Sequence, residues 1–138
     1  MIETILRQQN KERLKGLTGL KKEIITFDEV VKFIDELSEK AAGKYTGVYG
    51  IPRGGLILAV LYSYKNNIPL LLAPQPGCLV IDDDIGTGLT IQAYVGKYDT
   101  AVMYSRPECL VKPTYIHNYY DNETYKVFAW NDMEDLRW

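Results

Sequence analysis

Blocks of apolar residues alternate with polar and glycine-rich breaks along the 138-residue chain. Thr26 and Glu29 form a capping box, and apolar residues then recur at helical spacing from 30 to 37. Other blocks are rich in β-branched and aromatic residues, which favour strands. Strands are predicted at 45–51, 78–82, 100–104 and 126–130, and helices at 26–42, 56–64 and 90–95. This alternation predicts an α/β fold with a mostly parallel sheet.

The most informative stretch is 78–90, with the sequence C-L-V-I-D-D-D-I-G-T-G-L-T. Its apolar start is typical of a buried parallel strand. Its aspartates then fall at the carboxyl end, where open α/β sheets bind ligands. The Gly-Thr-Gly turn leads through Thr90 into a helix and suits a phosphate, whereas Asp82 and Asp83 suit sugar hydroxyls or a magnesium shell. The stretch therefore predicts a ligand that carries a phosphate and a diol.

A second candidate site is the turn P-R-G-G at 52–55, which follows the predicted strand at 45–51. Adjacent glycines permit close approach of a ligand, and Arg53 adds a positive charge, so the turn suits a diphosphate. The other interpretation is a tight turn that only connects a strand to a helix. The acidic stretch nearby favours the ligand interpretation.

Two segments are less determined by their pattern. Residues 68–73 are apolar and β-like, but too few residues separate them from the strand at 78–82 for a parallel crossover. They either cross the bottom of the sheet or pair antiparallel. Residues 1–24 are predicted to form an N-terminal helical segment with a thin apolar stripe, and 25–138 a single globular domain.

Composition excludes several classes of protein. The net charge of −2 argues against nucleic-acid binding, and no apolar run is long enough for a membrane span. Cys78 and Cys109 lack the spacing of a metal or disulfide site, and no signal peptide is recognised, so a cytoplasmic protein is expected. The one histidine, His117, is predicted to be a surface or loop residue.

Together these motifs resemble those of the type I phosphoribosyltransferases. The stretch 78–90 is similar to that family's phosphoribosyl diphosphate motif, although Asp84 stands where the family usually has an apolar residue. G-I-P-R-G-G-L at 50–56 resembles its diphosphate-binding loop. T-F-D-E-V, V-K-P-T-Y-I and Y-K-V-F-A-W resemble the xanthine–guanine and hypoxanthine (purine) branch. The resemblance covers residues 25–131 and implies a compact three-layer fold, reduced in size, around a twisted sheet.

The resemblance implies a role for each matching residue. Asp82 and Asp83 would hold the ribose hydroxyls and Mg2+, directly or through water, and with Arg53 would be the catalytic residues. The 5-phosphate would be bound by Asp84, Ile85, Gly86, Thr87, Gly88 and Thr90. The diphosphate would be bound by Pro52, Arg53 and Gly54. The base would be bound by Arg106, Tyr125, Lys126 and Val127, with Tyr125 stacked on its face.

The implied reaction is displacement of diphosphate from phosphoribosyl diphosphate by a nitrogen of a purine-like nucleobase. Catalysis would consist mostly of positioning and of charge stabilisation by Mg2+, Arg53 and loop amides. The implied partners are these two small molecules. A homodimer is also expected, because the sheet is small and aromatic residues are exposed.

Two departures from the family pattern bear on activity. Gly86 stands where 6-oxopurine enzymes usually have an aspartate that handles the N7 proton of the base. Asp84 is a nearby candidate for that role, although two residues earlier on a strand it need not point the same way. Residues 73–77 leave no room for the usual hairpin that excludes water, unless a second subunit or the N-terminal segment covers the site.

Three hypotheses follow. The protein is an active phosphoribosyltransferase, a degenerate relative that binds phosphoribosyl diphosphate or a nucleotide and regulates a partner, or another α/β protein that shares only the phosphate-binding loop. A calcium-binding loop is excluded, because the sixth-position glycine is missing and position 93 is alanine instead of the closing glutamate.

Overall fold

The computed structural model describes residues 21–85, 88–121 and 123–131. In chain order the elements are β1 (Lys21–Ile25), α1 (Phe27–Lys40), β2 (Gly47–Gly50), α2 (Gly54–Asn66), β3 (Cys78–Ile85), α3 (Leu89–Gln92), β4 (Asp99–Ser105), β5 (Tyr115–Tyr119) and β6 (Thr124–Phe128). They fall into two compact units. None of the described helices is long and apolar enough to cross a membrane.

The larger unit comprises residues 30–120 and contains a four-stranded sheet in the order β2-β3-β4-β5. All three strand pairs are parallel, which confirms the predicted α/β fold. The apolar run at the start of β3 is buried on both faces, as a strand inside a parallel sheet must be. Leu79, Val80 and Ile81 are each 0% exposed. β3 continues three residues beyond the predicted strand, through its aspartates to Ile85.

Helices α1 and α2 follow their predicted patterns with shifted ends. The amide of Glu29 donates to Thr26 Oγ1 at 3.3 Å, which confirms the capping box. The buried residues of α1 recur at helical spacing and include Val30, Phe33, Ile34 and Leu37. Helix α2 begins at Gly54, two residues before the predicted start, and ends at Asn66; the residue that caps it, Asn67, is in the left-handed conformation (φ 51°).

The segment 68–73 makes a single parallel bridge, between Leu70 and Val48. The amide of Val48 donates to the carbonyl of Pro69 at 3.0 Å, and the amide of Leu71 donates to the carbonyl of Val48 at 2.8 Å. Antiparallel pairing is therefore wrong. The bridge lies at the amino-terminal half of β2. Segment 68–73 therefore stops before the carboxyl ends of the strands. The residues between this segment and Cys78 then need to span only a short distance to the start of β3.

Three other local predictions are wrong. The strand predicted at 126–130 is β6, which ends at Phe128, and helical residues follow it at 129–131. The helix predicted at 90–95 is only the four-residue α3, and a turn follows it up to Gly96, which has φ +90°. His117 is not a surface or loop residue, because it lies on β5 with a side chain only 5% exposed. Its Nδ1 is 2.9 Å from Glu36 Oε2, and its ring makes an inclined contact with the ring of Phe33, with centroids 5.6 Å apart.

The smaller unit comprises residues 21–29 and the described residues from 121 onward. Strands β1 and β6 pair in parallel within it, and Trp130 stacks on Phe128 with ring centroids 4.9 Å apart. β1 begins at Lys21, inside the range predicted as an N-terminal helical segment. The remainder of that segment, 1–20, lies outside the described residues.

Candidate functional site

An open cavity of about 370 Å³ lies at the carboxyl end of β3. Parallel strands end at one edge of a sheet, so the loop after β2 and the acidic end of β3 meet there. The lining residues are Ile51, Pro52, Asp82, Asp83, Asp84, Ile85, Gly88, Thr90 and Ile91. Two predicted site residues, Gly86 and Thr87, lie outside the described residues.

The carboxylates of Asp82 and Asp83 each accept a hydrogen bond from the backbone amide of the next residue. The amide of Asp83 donates to Asp82 Oδ1, and the amide of Asp84 donates to Asp83 Oδ1, each at 2.9 Å. Asp82 is only 8% exposed. Burial raises the pKa of its carboxyl to about 8, and the neighbouring Asp83 carboxylate adds to this rise. A buried carboxyl beside a second one favours either a bound proton or a bound cation.

The acidic pair fits one particular kind of metal site. Among the residues that the structure describes, no group of three or more His, Cys, Asp or Glu side chains could hold a metal ion. Mg2+ commonly takes one or two carboxylates from the protein and its other oxygens from substrate phosphates and water. Asp82 and Asp83 fit that arrangement.

The loop after β2 reaches the acidic end of β3 because two glycines open α2. A Cβ on Gly54 would overlap the Asp83 carboxylate, and a Cβ on Gly55 would overlap the carbonyl oxygen of Ile81. The glycines are thus required for close packing of the protein's own chain. Arg53 is exposed at the N-cap of α2, beside Pro52, and the Pro52–Arg53 peptide bond is cis.

The start of α3 also lines the cavity. Gly88 has φ +88°, a conformation that favours glycine, and a Cβ there would lie 3.0 Å from Val111 Cγ2 and 3.1 Å from Cys109 Sγ. Thr90 is the second residue of the helix and lines the cavity. Since α3 is so short, the hydroxyl and the turn, and not a helix dipole, supply the features that suit a phosphate.

Sequence reasoning missed Tyr120 as a site residue. Its hydroxyl donates to Asp84 Oδ2 at 2.6 Å, from just beyond β5. Burial raises the pKa of this hydroxyl, and the negative charge of Asp84 adds to the rise, whereas the charge of Arg106 opposes it. Tyr120 therefore stays a hydrogen-bond donor. The tyrosine-rich stretch around it has no helical or strand period that could have indicated this contact.

The predicted base-binding residues lie in both units. Arg106 is exposed directly after β4 in the larger unit. Tyr125, Lys126 and Val127 lie on β6 of the smaller unit, where Lys126 Nζ donates to Glu23 Oε2 at 2.9 Å and Val127 is 5% exposed. Their role in base binding stays a prediction.

Comparison with known proteins gives matches among solved structures. No protein-family model matches the sequence, and no curated protein matches it either. A purine phosphoribosyltransferase from Pyrococcus horikoshii is 25% identical, with a TM-score of 0.68 over 81% of this chain and 95% of that one. A xanthine-guanine-hypoxanthine phosphoribosyltransferase from Helicobacter pylori is 14% identical, with a TM-score of 0.73 over 86% and 98%.

A third similar structure is a hypothetical protein from Neisseria gonorrhoeae with bound ppGpp. It is 17% identical, and its TM-score is 0.65 over 85% of this chain and 95% of that one. These matches confirm the resemblance that the two sequence motifs indicate. By its fold, the chain is similar to the type I phosphoribosyltransferases, and purine enzymes are among its structural neighbours.

Proposed function

We propose that the protein transfers the phosphoribosyl group of phosphoribosyl diphosphate to a purine-like nucleobase and releases diphosphate. The observation that carries this proposal is the single cavity shared by the acidic end of β3, the start of α3 and the loop after β2. Phosphoribosyl diphosphate carries a ribose diol between a phosphate and a diphosphate. The acidic end of β3 suits the diol, and the start of α3 and the loop after β2 suit the two phosphate groups. The P. horikoshii purine phosphoribosyltransferase supports a purine as the acceptor.

Each group of predicted site residues has a proposed role, although Arg53, Gly54 and the base-binding residues are not among those that line the cavity. Asp82 and Asp83 accept hydrogen bonds from the ribose hydroxyls and orient the sugar. The stretch from Ile85 to Thr90 binds the 5-phosphate, with the Thr90 hydroxyl as a donor. Asp84, which the resemblance also implies for this group, is left out of it, because a carboxylate repels a phosphate. Pro52, Arg53 and Gly54 bind the diphosphate, and the Arg53 charge stabilises it as the bond to the anomeric carbon breaks. Arg106, Tyr125, Lys126 and Val127 bind the base.

Asp82 and Asp83 would also hold Mg2+. Bound Mg2+ would neutralise negative charge on the departing diphosphate. The raised pKa of Asp82 supports this assignment, because a cation beside the pair would favour the ionised carboxylates that are otherwise costly to bury.

We place this activity in the cytoplasm, in a homodimer. Both cysteines, Cys78 and Cys109, are buried free thiols, which suits a reducing compartment. Leu72 and Leu110 are 97% and 96% exposed, and apolar side chains of this kind are candidates for a subunit contact.

A second candidate function is a regulatory protein that binds phosphoribosyl diphosphate or a nucleotide without turnover. The bends and turns at 72–77 leave no covering hairpin between the bridge at Leu70 and β3. The N. gonorrhoeae protein with bound ppGpp supports nucleotide binding by this fold.

The deciding experiment measures diphosphate release from phosphoribosyl diphosphate and Mg2+ with a panel of purines and pyrimidines. The enzyme proposal predicts turnover with at least one purine. Binding of phosphoribosyl diphosphate without turnover on any base would favour the regulatory function. Asp83→Asn should weaken that binding in both cases, while Asp35→Asn at the exposed pair with Lys65 should not. Unchanged affinity in Asp83→Asn would remove the site assignment.

A further inference from the structure

The Asp84 carboxylate is fixed by a tyrosine 36 residues away in the chain. Tyr120 Oη and Asp84 Oδ2 are 2.6 Å apart, the short distance expected when a hydroxyl donates to a carboxylate. Asp84 also lines the cavity at the carboxyl end of β3. The hydrogen bond therefore sets the orientation of a carboxylate that faces the ligand space.

The Tyr120 side chain is itself held in place by β4. The backbone amide of Tyr120 donates to the carbonyl of Ser105 at 2.9 Å. Its ring packs on Tyr104 with centroids 5.5 Å apart and planes inclined by 31°. Tyr104 is 3% exposed, so this support is part of the core. The hydroxyl is thus a donor in a fixed position.

A carboxylate in this position can serve several ligand groups. It would repel the phosphates of the proposed substrate. Mg2+ commonly takes one or two carboxylates from the protein, and the proposed function already assigns Asp82 and Asp83 to it. Asp82 and Asp83 already serve the sugar hydroxyls in the proposed function. The donors that remain on such a substrate are the N–H groups of the base.

We propose that Asp84 determines base specificity by accepting a hydrogen bond from a ring N–H, and that Tyr120 is the positioning residue that orients it. This inference rests on the proposed function and deepens it. The ligand class is a heterocycle with a protonated ring nitrogen at the edge that faces Asp84. A base with an unprotonated ring nitrogen at that position binds less well, because its lone pair and the Asp84 carboxylate are both hydrogen-bond acceptors.

The pair predicts an unusual result for Asp84→Asn. Tyr120 donates its proton, so it selects the amide oxygen of the new asparagine. The amide NH2 is then left to face the cavity as a donor. The variant should prefer a base with an unprotonated ring nitrogen. The double variant with Tyr120→Phe should lose that preference, because its amide can turn either way.

The test measures binding of inosine 5′-monophosphate, adenosine 5′-monophosphate and ribose 5-phosphate by calorimetry, with Mg2+ present. Inosine monophosphate carries a proton on N1, adenosine monophosphate a lone pair, and ribose 5-phosphate no base. Asp84→Asn should weaken binding of inosine monophosphate about tenfold, which is the size expected for one hydrogen bond to a charged group. It should also reverse the wild-type preference for inosine monophosphate over adenosine monophosphate. Ribose 5-phosphate affinity should not fall, because this ligand has no base and the variant removes a negative charge that opposes the phosphate.

The matched control is the pair Tyr45 and Asp99 at the opposite edge of the sheet, where the Tyr45 hydroxyl donates to Asp99 Oδ2 at the same 2.6 Å. Tyr45→Phe and Asp99→Asn should leave all three affinities unchanged. Equal loss for all three ligands in Asp84→Asn, or an unaltered preference for inosine monophosphate, would overturn the assignment. Failure of ribose 5-phosphate to bind the wild-type protein would instead contradict the proposed function itself.

Discussion

The Asp83 carboxylate lies against the α-carbon of Gly54, so close that a methyl group there would overlap it. The loop after β2 and the acidic end of β3 therefore meet without an intervening side chain. Any residue larger than glycine at position 54 must displace one of the two carboxylates proposed to hold the sugar.

Gly54→Ala should separate binding from stability. We expect at least tenfold weaker binding of phosphoribosyl diphosphate with Mg2+, and a loss of about 1–2 kcal/mol in the free energy of unfolding, typical of local overpacking. Gly55→Ala is the companion variant, since its Cβ would overlap the backbone carbonyl of Ile81 on the central strand. It should cost about 3 kcal/mol. Urea unfolding and calorimetry measure both effects, and normal binding by Gly54→Ala would contradict the expected displacement.

The pKa of Asp82 predicts a pH dependence of stability in the metal-free protein. Folding raises this pKa from 3.8 to about 8, so between these values the folded state keeps a proton that the unfolded chain has released. Stability should fall as the pH rises through this window, by at most about 1.4 kcal/mol per pH unit. Above the folded pKa the loss is complete.

Asp82→Asn should remove this part of the pH dependence, so that the variant is more stable than the wild type at the alkaline end of the window. Urea unfolding across the window measures the slope. Added Mg2+ should also flatten the wild-type slope, since a bound cation favours the ionised carboxyl. An identical slope in the variant would show that another group is responsible.

Gly88→Ala tests the turn before α3. A left-handed conformation costs an alanine about 1–2 kcal/mol, and contact with Val111 and Cys109 adds to this. Gly96→Ala is the matched control, because Gly96 has φ +90° with no atom within 4 Å of the added Cβ. Both variants should lose stability in thermal unfolding. Only Gly88→Ala should also weaken ribose 5-phosphate binding; equal affinities in the two variants would remove Gly88 from the phosphate site.

Glu36→Ala should destabilise the protein by about 1–3 kcal/mol, because it removes a hydrogen-bond partner from the buried ring of His117. Asp35→Ala breaks a neighbouring pair with Lys65 in which both side chains are about half exposed. That change should cost less than about 0.5 kcal/mol. Chemical unfolding of both variants checks the contrast, and similar losses would mean that the Glu36 contact contributes little.

Three strands of the central sheet, β2, β3 and β4, were predictable because their local composition is apolar, whereas β5 was not predicted. β3 begins with the apolar run from Cys78 to Ile81, and β4 contains the run from Ala101 to Tyr104; a strand with both faces buried requires such a run. The position of the acidic residues was predicted from one rule, that open α/β sheets bind ligands at the carboxyl ends of their strands. The resemblance to a known family then added roles that the pattern itself could not assign.

Other features depend on contacts between distant residues. The bridge at Leu70 is one residue long, and the local pattern does not encode how far a β-like segment pairs. Tyr120 and His117 lie in or next to β5, where tyrosines are frequent, so their partners Asp84 and Glu36 could not be distinguished from the sequence. The length of α3 depended on a turn at Gly96 that its apolar residues did not indicate.

The bridge between Leu70 and Val48 also limits how the sheet can grow. Pro69 precedes the bridge and Pro74 follows it, and neither has an amide proton to offer to another strand. Short pairing and flanking prolines are the devices by which natural sheets resist edge-to-edge aggregation. Beside β2, the sheet is thus closed to further strands, and the exposed Leu72 cannot recruit a second chain through continuous β-pairing there.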